Sequence, residues 1–111
     1  MSQEAFKWIK SHLERLSYKW PPRTKAIQFA RRKSELSDKR TKYQYQCNYC
    51  KEWFKGKDIQ LDHIVPKGRY DRETFFIWLD RLFCGTDGFQ VLCIPCHKKK
   101  SATEKSDGSY K

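Results

Sequence analysis

Cys47 and Cys50 enclose two residues, and Cys93 and Cys96, separated from the first pair by 42 residues, do the same. Two residues between thiolates let a tight turn aim both sulfurs at one ion. Two such knuckles build the tetrahedral four-thiolate shell that structural zinc prefers. That shell is closed, so its expected role is a staple rather than a reaction centre. Two separate redox dithiols would use the same spacing, but the pairing of the motifs favours one shared ion. Zinc held this way supplies roughly 10 to 16 kcal/mol of apparent folding free energy, so chelation is expected to unfold the module. Cys84 is left over and, following Leu82 and Phe83, reads as a small buried residue.

Between the knuckles stands Leu61-Asp62-His63-Ile64-Val65-Pro66, and His97 follows Cys96 directly. Neighbours on a strand point to opposite faces, so Asp62 and His63 suit two different tasks. A histidine suits a general base because its unperturbed pKa lies near ambient pH. An aspartate oxygen suits Mg2+ or Mn2+. Phosphodiester hydrolysis needs both a base to activate water and a cation to stabilise charge on the phosphate and leaving oxygen. Taken alone, the pair is equally compatible with a satisfied, partly buried histidine beside a turn-capping aspartate. His97 shifts the balance. Anchored by Cys96 at the start of a helix, it can converge with Asp62 on one ion if that helix packs across the strand.

The composition agrees with a polyanionic partner. Across 111 residues, 24 Lys and Arg face 13 Asp and Glu, a formal net charge of +11. Nucleic acid comes first as the partner, with a membrane surface as rival. No apolar run approaches the length of a membrane span. The chain opens MSQEAFKWIK, with an acid and a Trp where a signal peptide needs an apolar run, so a cytosolic setting with reduced thiols is expected. With 38% apolar but 15% aromatic residues, the expected core is aromatic and gathered around the metal.

The elements that must position these groups divide the chain into a basic helical arm (1–40), a metal-bound module (41–103) and a polar tail (104–111). Phe6, Ile9, Leu13 and Leu16 share one face of a helix over 4–18, with Ser2 as candidate N-cap. Pro21 and Pro22 end it and can open a second helix over 22–36. The basic residues of that helix, Arg23, Arg31 and Arg32 among them, would neutralise a DNA backbone or simply form a solvated face. Residues 37–42 read as a linker. Strands are predicted at 43–47, 57–64 and 89–92, and helices at 71–83 and from Cys93 onward. Lys98, Lys99 and Lys100, beside His97, suit phosphate contacts and would equally suit a solvated helix face.

The combined pattern Cys47-x-x-Cys50, Leu61-Asp62-His63-Ile64-x-Pro66, Gln90-Val91-Leu92-Cys93-x-x-Cys96-His97-x-x-Lys100 resembles the HNH endonuclease family. It is especially similar to the small zinc-bound HNH proteins of bacteriophages. Lys19-Trp20-Pro21-Pro22-Arg23 and Arg81-Leu82-Phe83-Cys84 are similar to segments of that phage group, and the likeness covers about residues 18–101. The resemblance implies an α+β chain with a ββα-metal fold around one divalent cation, Mg2+, Mn2+ or another. It implies His63 as general base, Asp62 and His97 as metal ligands, and cleavage of DNA to leave a 5′-phosphate. One position departs from the pattern. The family's middle Asn falls at Gly88, and the only Asn of this chain is Asn48. In the family that Asn braces the loop holding the base histidine. Gly88 can supply backbone conformation but no side-chain bond, which leaves Asp87 or Gln90 as substitutes.

The expectation is therefore a DNA endonuclease with low sequence preference. A monomer carries one active site and would nick, whereas a dimer could cut both strands. A catalytically silent, zinc-stapled nucleic-acid-binding module would use the same basic arm and cysteines. It has no need of Asp62, His63 and His97. The resemblance also permits an accessory role in phage DNA packaging with a terminase partner.

Overall fold

The computed structural model describes residues 1–106, which form four α-helices and two small sheets. Among these residues no helix is long and apolar enough to cross a membrane. Helix α1 (Gln3–Ser17) begins where the sequence signals it, with Ser2 Oγ accepting the Ala5 amide at 3.1 Å. Its apolar stripe is buried only in part. Phe6 is buried, while Leu16 is 57% exposed. Tyr70 explains the difference: its ring stacks on Phe6 at 4.4 Å, and its hydroxyl donates to the Phe6 carbonyl at 2.6 Å. Toward its end, α1 is held by buried Ser17 and by the Glu14–Lys67 ion pair at 3.2 Å.

Helix α2 (Pro21–Phe29) opens on the two prolines. It stops seven residues short of the predicted end at 36, and Arg31–Lys33 form strand β1 instead. Strand β2 (Tyr43–Gln46) supplies the reason. It offers β1 an antiparallel ladder, Arg31 opposite Tyr45 and Lys33 opposite Tyr43, and the Gln46 amide bonds the Ala30 carbonyl at 2.9 Å. Aromatic rings then receive the arginines. The Arg31 guanidinium lies 4.2 Å from the Tyr43 ring centre and that of Arg32 lies 4.1 Å from the ring centre of Trp53. Long-range pairing thus overrides a helical local pattern. With Trp53–Phe54 (β3) on the other side of β2, the first sheet has the order β1-β2-β3. Of residues 1–40, Arg31–Lys33 pair in this sheet with Tyr43–Tyr45 of the 41–103 segment.

The second sheet pairs β4 (Ile59–His63) with β5 (Phe89–Cys93), in antiparallel register. Helix α3 (Phe75–Leu82) lies in the chain between them. It starts later than predicted because Asp71 Oδ1 holds the Thr74 amide and hydroxyl, both at 2.8 Å, in a local turn. Helix α4 (Ile94–Ser106) follows β5 without a loop and contacts both strands. It carries residues 104–106 of the expected tail in helix, with Glu104 buried; the remaining tail, 107–111, lies outside the described residues.

The expected aromatic core around the cysteines forms elsewhere. Phe6, Tyr70, Phe75 and fully buried Trp78 cluster between α1 and α3, because α1 needs a surface to dock on. Around the cysteines the packing comes from Leu92 and Phe54.

Candidate active site and metal centre

The first cysteine knuckle follows β2. The Lys51 amide returns to the Cys47 carbonyl at 3.0 Å, which closes the turn and places Lys51 at φ 64°. That left-handed conformation is uncommon for a side chain larger than Gly or Asn. The second knuckle straddles β5 and the first turn of α4. The Asn48 amide bonds the Val91 carbonyl at 2.8 Å, which sets one knuckle against the other. As a result the four sulfurs lie within 4.8 Å of one another. A tetrahedron of sulfurs about 2.3 Å from one ion has edges of about 3.8 Å, so a small contraction completes the shell.

The electrostatics also favour a cation. Burial opposes a Cys47 thiolate, yet the backbone groups of Cys93, Cys50 and Tyr49 outweigh it and bring the thiol down to about 6. Cys96 is pushed up to about 12, first by its bond with Cys93 and then by burial. The Cys47 thiolate forms readily while Cys50 and Cys96 resist, a charge conflict that a bound dication would remove. These four cysteines can hold one metal ion.

A second constellation sits at the end of β4. Asp62 and His63 point to opposite sides of the strand, yet both line one cleft. The cleft is closed on one side by the Pro66-Lys67-Gly68 turn and on the other by α4. From α4 come His97, Ser101 and Glu104, at positions i, i+4 and i+7 on one helix face. His97 Nε2 lies 3.7 Å from Asp62 Oδ1. The other oxygen, Oδ2, is held by Lys100 Nζ at 3.1 Å and Gln90 Nε2 at 3.0 Å. Asp62 is therefore clamped on one oxygen and presents the other to His97.

His63 has its own orienting bond. Its Nε2 lies 3.3 Å from the Leu82 carbonyl, which can only accept, so Nε2 carries the proton and Nδ1 the lone pair. The ring packs against Phe89, centres 4.8 Å apart. Burial holds the His63 pKa below the ordinary histidine value. The Leu82 carbonyl opposes this, and the charges of Lys67 and Arg23 add to it. The imidazole is neutral at pH 7, with Nδ1 available to take a proton.

Gly88 stands where the resemblance places an Asn. Its carbonyl accepts the Ile64 amide at 2.9 Å and so braces the residue after His63 with backbone alone. Of the two side chains expected to substitute, Gln90 bonds Asp62, not the histidine loop, and Asp87 is exposed. The segments Lys19 to Arg23 and Arg81 to Cys84 meet in space: Trp20 Nε1 donates to the Cys84 carbonyl at 2.7 Å.

The basic residues part into groups. Arg23 lies over Phe89 at 5.4 Å, one ring away from His63. Arg31 and Arg32 sit on β1 against aromatic rings. Lys98 and Lys99 are exposed on α4. Lys100 is turned inward, bonding Asp62, Glu104 and the His63 carbonyl. Burial works against its charge, but Glu104 and Asp62 outweigh burial and hold its pKa above the ordinary lysine value. Sequence reasoning missed Glu104 and the inward turn of Lys100. The i, i+4, i+7 spacing from His97 was the available signal for Glu104.

No protein-family model, curated protein or solved structure matches the chain.

Proposed function

We propose that this chain is a metal-dependent DNA endonuclease of the HNH type, stapled by one structural zinc at Cys47, Cys50, Cys93 and Cys96. The observation that carries the reading is the juxtaposition in one cleft of a neutral, oriented His63 with the Asp62–His97 pair. A pure binding module has no need of it. The antiparallel β4 and β5 with α4 across them support a ββα-metal arrangement.

Asp62 Oδ1 and His97 Nε2 would hold Mg2+, Mn2+ or another divalent cation. Two donors about 2.1 Å from one ion are at most about 4.2 Å apart, and these are 3.7 Å apart. The bound cation supplies charge stabilisation at the phosphate and the leaving oxygen. His63 accepts the proton of a water at Nδ1, and the resulting hydroxide adds to phosphorus as the 3′ oxygen leaves, giving a 5′-phosphate. The Leu82 carbonyl keeps the ring in the tautomer this requires and stabilises the imidazolium formed. Arg23, Lys98 and Lys99 would meet backbone phosphates, and a formal charge of +11 supports DNA as partner.

Conversion of supercoiled plasmid with Mg2+ or Mn2+ tests the reading. His63→Ala is expected to lower the rate by at least the 100-fold typical of a lost general base. Equal rates for wild type and His63→Ala would leave only a zinc-stapled DNA-binding module, or an accessory protein of DNA packaging.

A further inference from the structure

Asp62 Oδ2 is reached from the first cysteine knuckle by an unbroken line of hydrogen bonds. Lys51 Nζ donates to Asn48 Oδ1 at 3.1 Å, Asn48 Nδ2 to Gln90 Oε1 at 2.7 Å, and Gln90 Nε2 to Asp62 Oδ2 at 3.0 Å. Each amide has one permitted orientation. A carboxylate only accepts, so the Gln90 amino group must face Asp62. Its oxygen must then face Asn48 and needs a donor there. The Asn48 oxygen is left toward the Lys51 ammonium, which only donates. The backbone makes the line rigid at both ends, because Asn48 is tied to Val91 and Gln90 stands opposite Asp62 in the β4–β5 register.

We infer that Asn48 is a positioning residue for Asp62, acting through Gln90, so that the cysteine knuckle aims the carboxylate that takes the cation in the adjacent cleft. The inference rests on the reading of Asp62 as a cation ligand. Asn48 touches neither substrate nor cation. It keeps Gln90 in the one orientation that donates to Oδ2 and leaves Oδ1 for the ion. Groups that orient a metal ligand from behind typically change metal affinity by 10- to 100-fold when lost.

The test measures Mn2+ affinity by electron paramagnetic resonance on the full chain, with zinc content and Tm recorded for each variant. Asn48→Asp is nearly isosteric and keeps a partner for Lys51, but it cannot donate to Gln90 Oε1. The Gln90 amide then stands between two carboxylates that only accept, and its amino group is no longer fixed on Asp62 Oδ2. The expected result is about tenfold weaker Mn2+ binding with zinc content and Tm retained. Gln90→Met breaks the line from β5, remote from the sulfur ligands, and is expected to weaken Mn2+ at least as much. Asn48→Asp added to Gln90→Met should then have no further effect. Unchanged or tighter Mn2+ binding in Asn48→Asp, or additive losses in the double variant, overturns the inference. Asp62→Ala separates the two levels. If it leaves Mn2+ affinity unchanged, the ligand reading falls and this inference with it. If it abolishes binding while Asn48→Asp does not weaken it, only the positioning role fails.

Discussion

Cys84 occupies the space that a side chain at Gly88 would need: a β-carbon there would lie 2.6 Å from Cys84 Sγ and 2.9 Å from its Cβ. The glycine is required by packing, and its carbonyl takes over the bracing of Ile64. Gly88→Ala is expected to cost about 1 to 3 kcal/mol, the usual range for overpacking. Cys84→Ala in the same chain should recover part of that loss, since it removes the nearer contact. Urea denaturation of the two single variants and the double variant measures this. Purely additive losses would count against the steric account.

Removal of the cysteine-bound metal should unfold the molecule rather than merely silence it. Zinc binding of roughly 10 to 16 kcal/mol equals or exceeds the net stability of a typical domain. A strong chelator, or Ser at any one of Cys47, Cys50, Cys93 and Cys96, is expected to abolish the cooperative thermal transition seen by circular dichroism. Asp62→Ala should retain one zinc per chain and the transition, while losing cleavage.

Lys100 sits as a built-in cation between Asp62 and Glu104, whose side chains are only 10% and 12% exposed. Lys100→Met leaves two largely buried carboxylates without their shared partner, at a cost of at least about 1 to 3 kcal/mol. The Tm of this variant in the absence of divalent cations should fall by several degrees. Mg2+ or Mn2+ should restore it more than they raise the wild-type Tm, because a dication can replace the ammonium. Equal shifts in both proteins would show that the cation does not reach these carboxylates.

The basic residues are expected to contribute unequally to DNA binding. Lys98 and Lys99 are exposed, and a double change to Ala should weaken duplex binding while lowering the salt slope, log Kd against log salt, by about 2. Arg31 and Arg32 already rest on Tyr43 and Trp53. Alanine at these two sites should lower the Tm as well as the affinity. Fluorescence anisotropy at several salt concentrations, together with melting curves, distinguishes the two pairs.

Trp20 secures α2 to the end of α3 through its Nε1 bond to the Cys84 carbonyl and an edge contact with Phe83. Trp20→Phe keeps an aromatic ring and loses the bond, at a cost of about 1 kcal/mol. A denaturation midpoint equal to wild type would show that the bond is replaced by water at no cost.

Much of the site is legible in short-range pattern. Two residues between each pair of cysteines suffice to define a knuckle, adjacency on a strand separates Asp62 from His63, and Pro21-Pro22 marks the border of α1 and α2. These features depend on a few covalent bonds and on backbone periodicity, so they survive without knowledge of the partner segment. Arg31 to Lys33 read wrongly for the converse reason: their basic run favours a helix locally, and only the ladder from Tyr43 to Gln46 turns it into a strand. The tertiary structure alone decided that Lys100 turns inward, that Gly88 faces Cys84, and that Asn48 reaches Asp62 through Gln90. The Gly88–Cys84 contact depends on how the chain turns between α3 and β5, the inward turn of Lys100 on how α4 crosses the strands, and the line through Gln90 on the register of β4 against β5. A shift of one residue in that register would turn Gln90 away from Asp62, and nothing in the local composition records it.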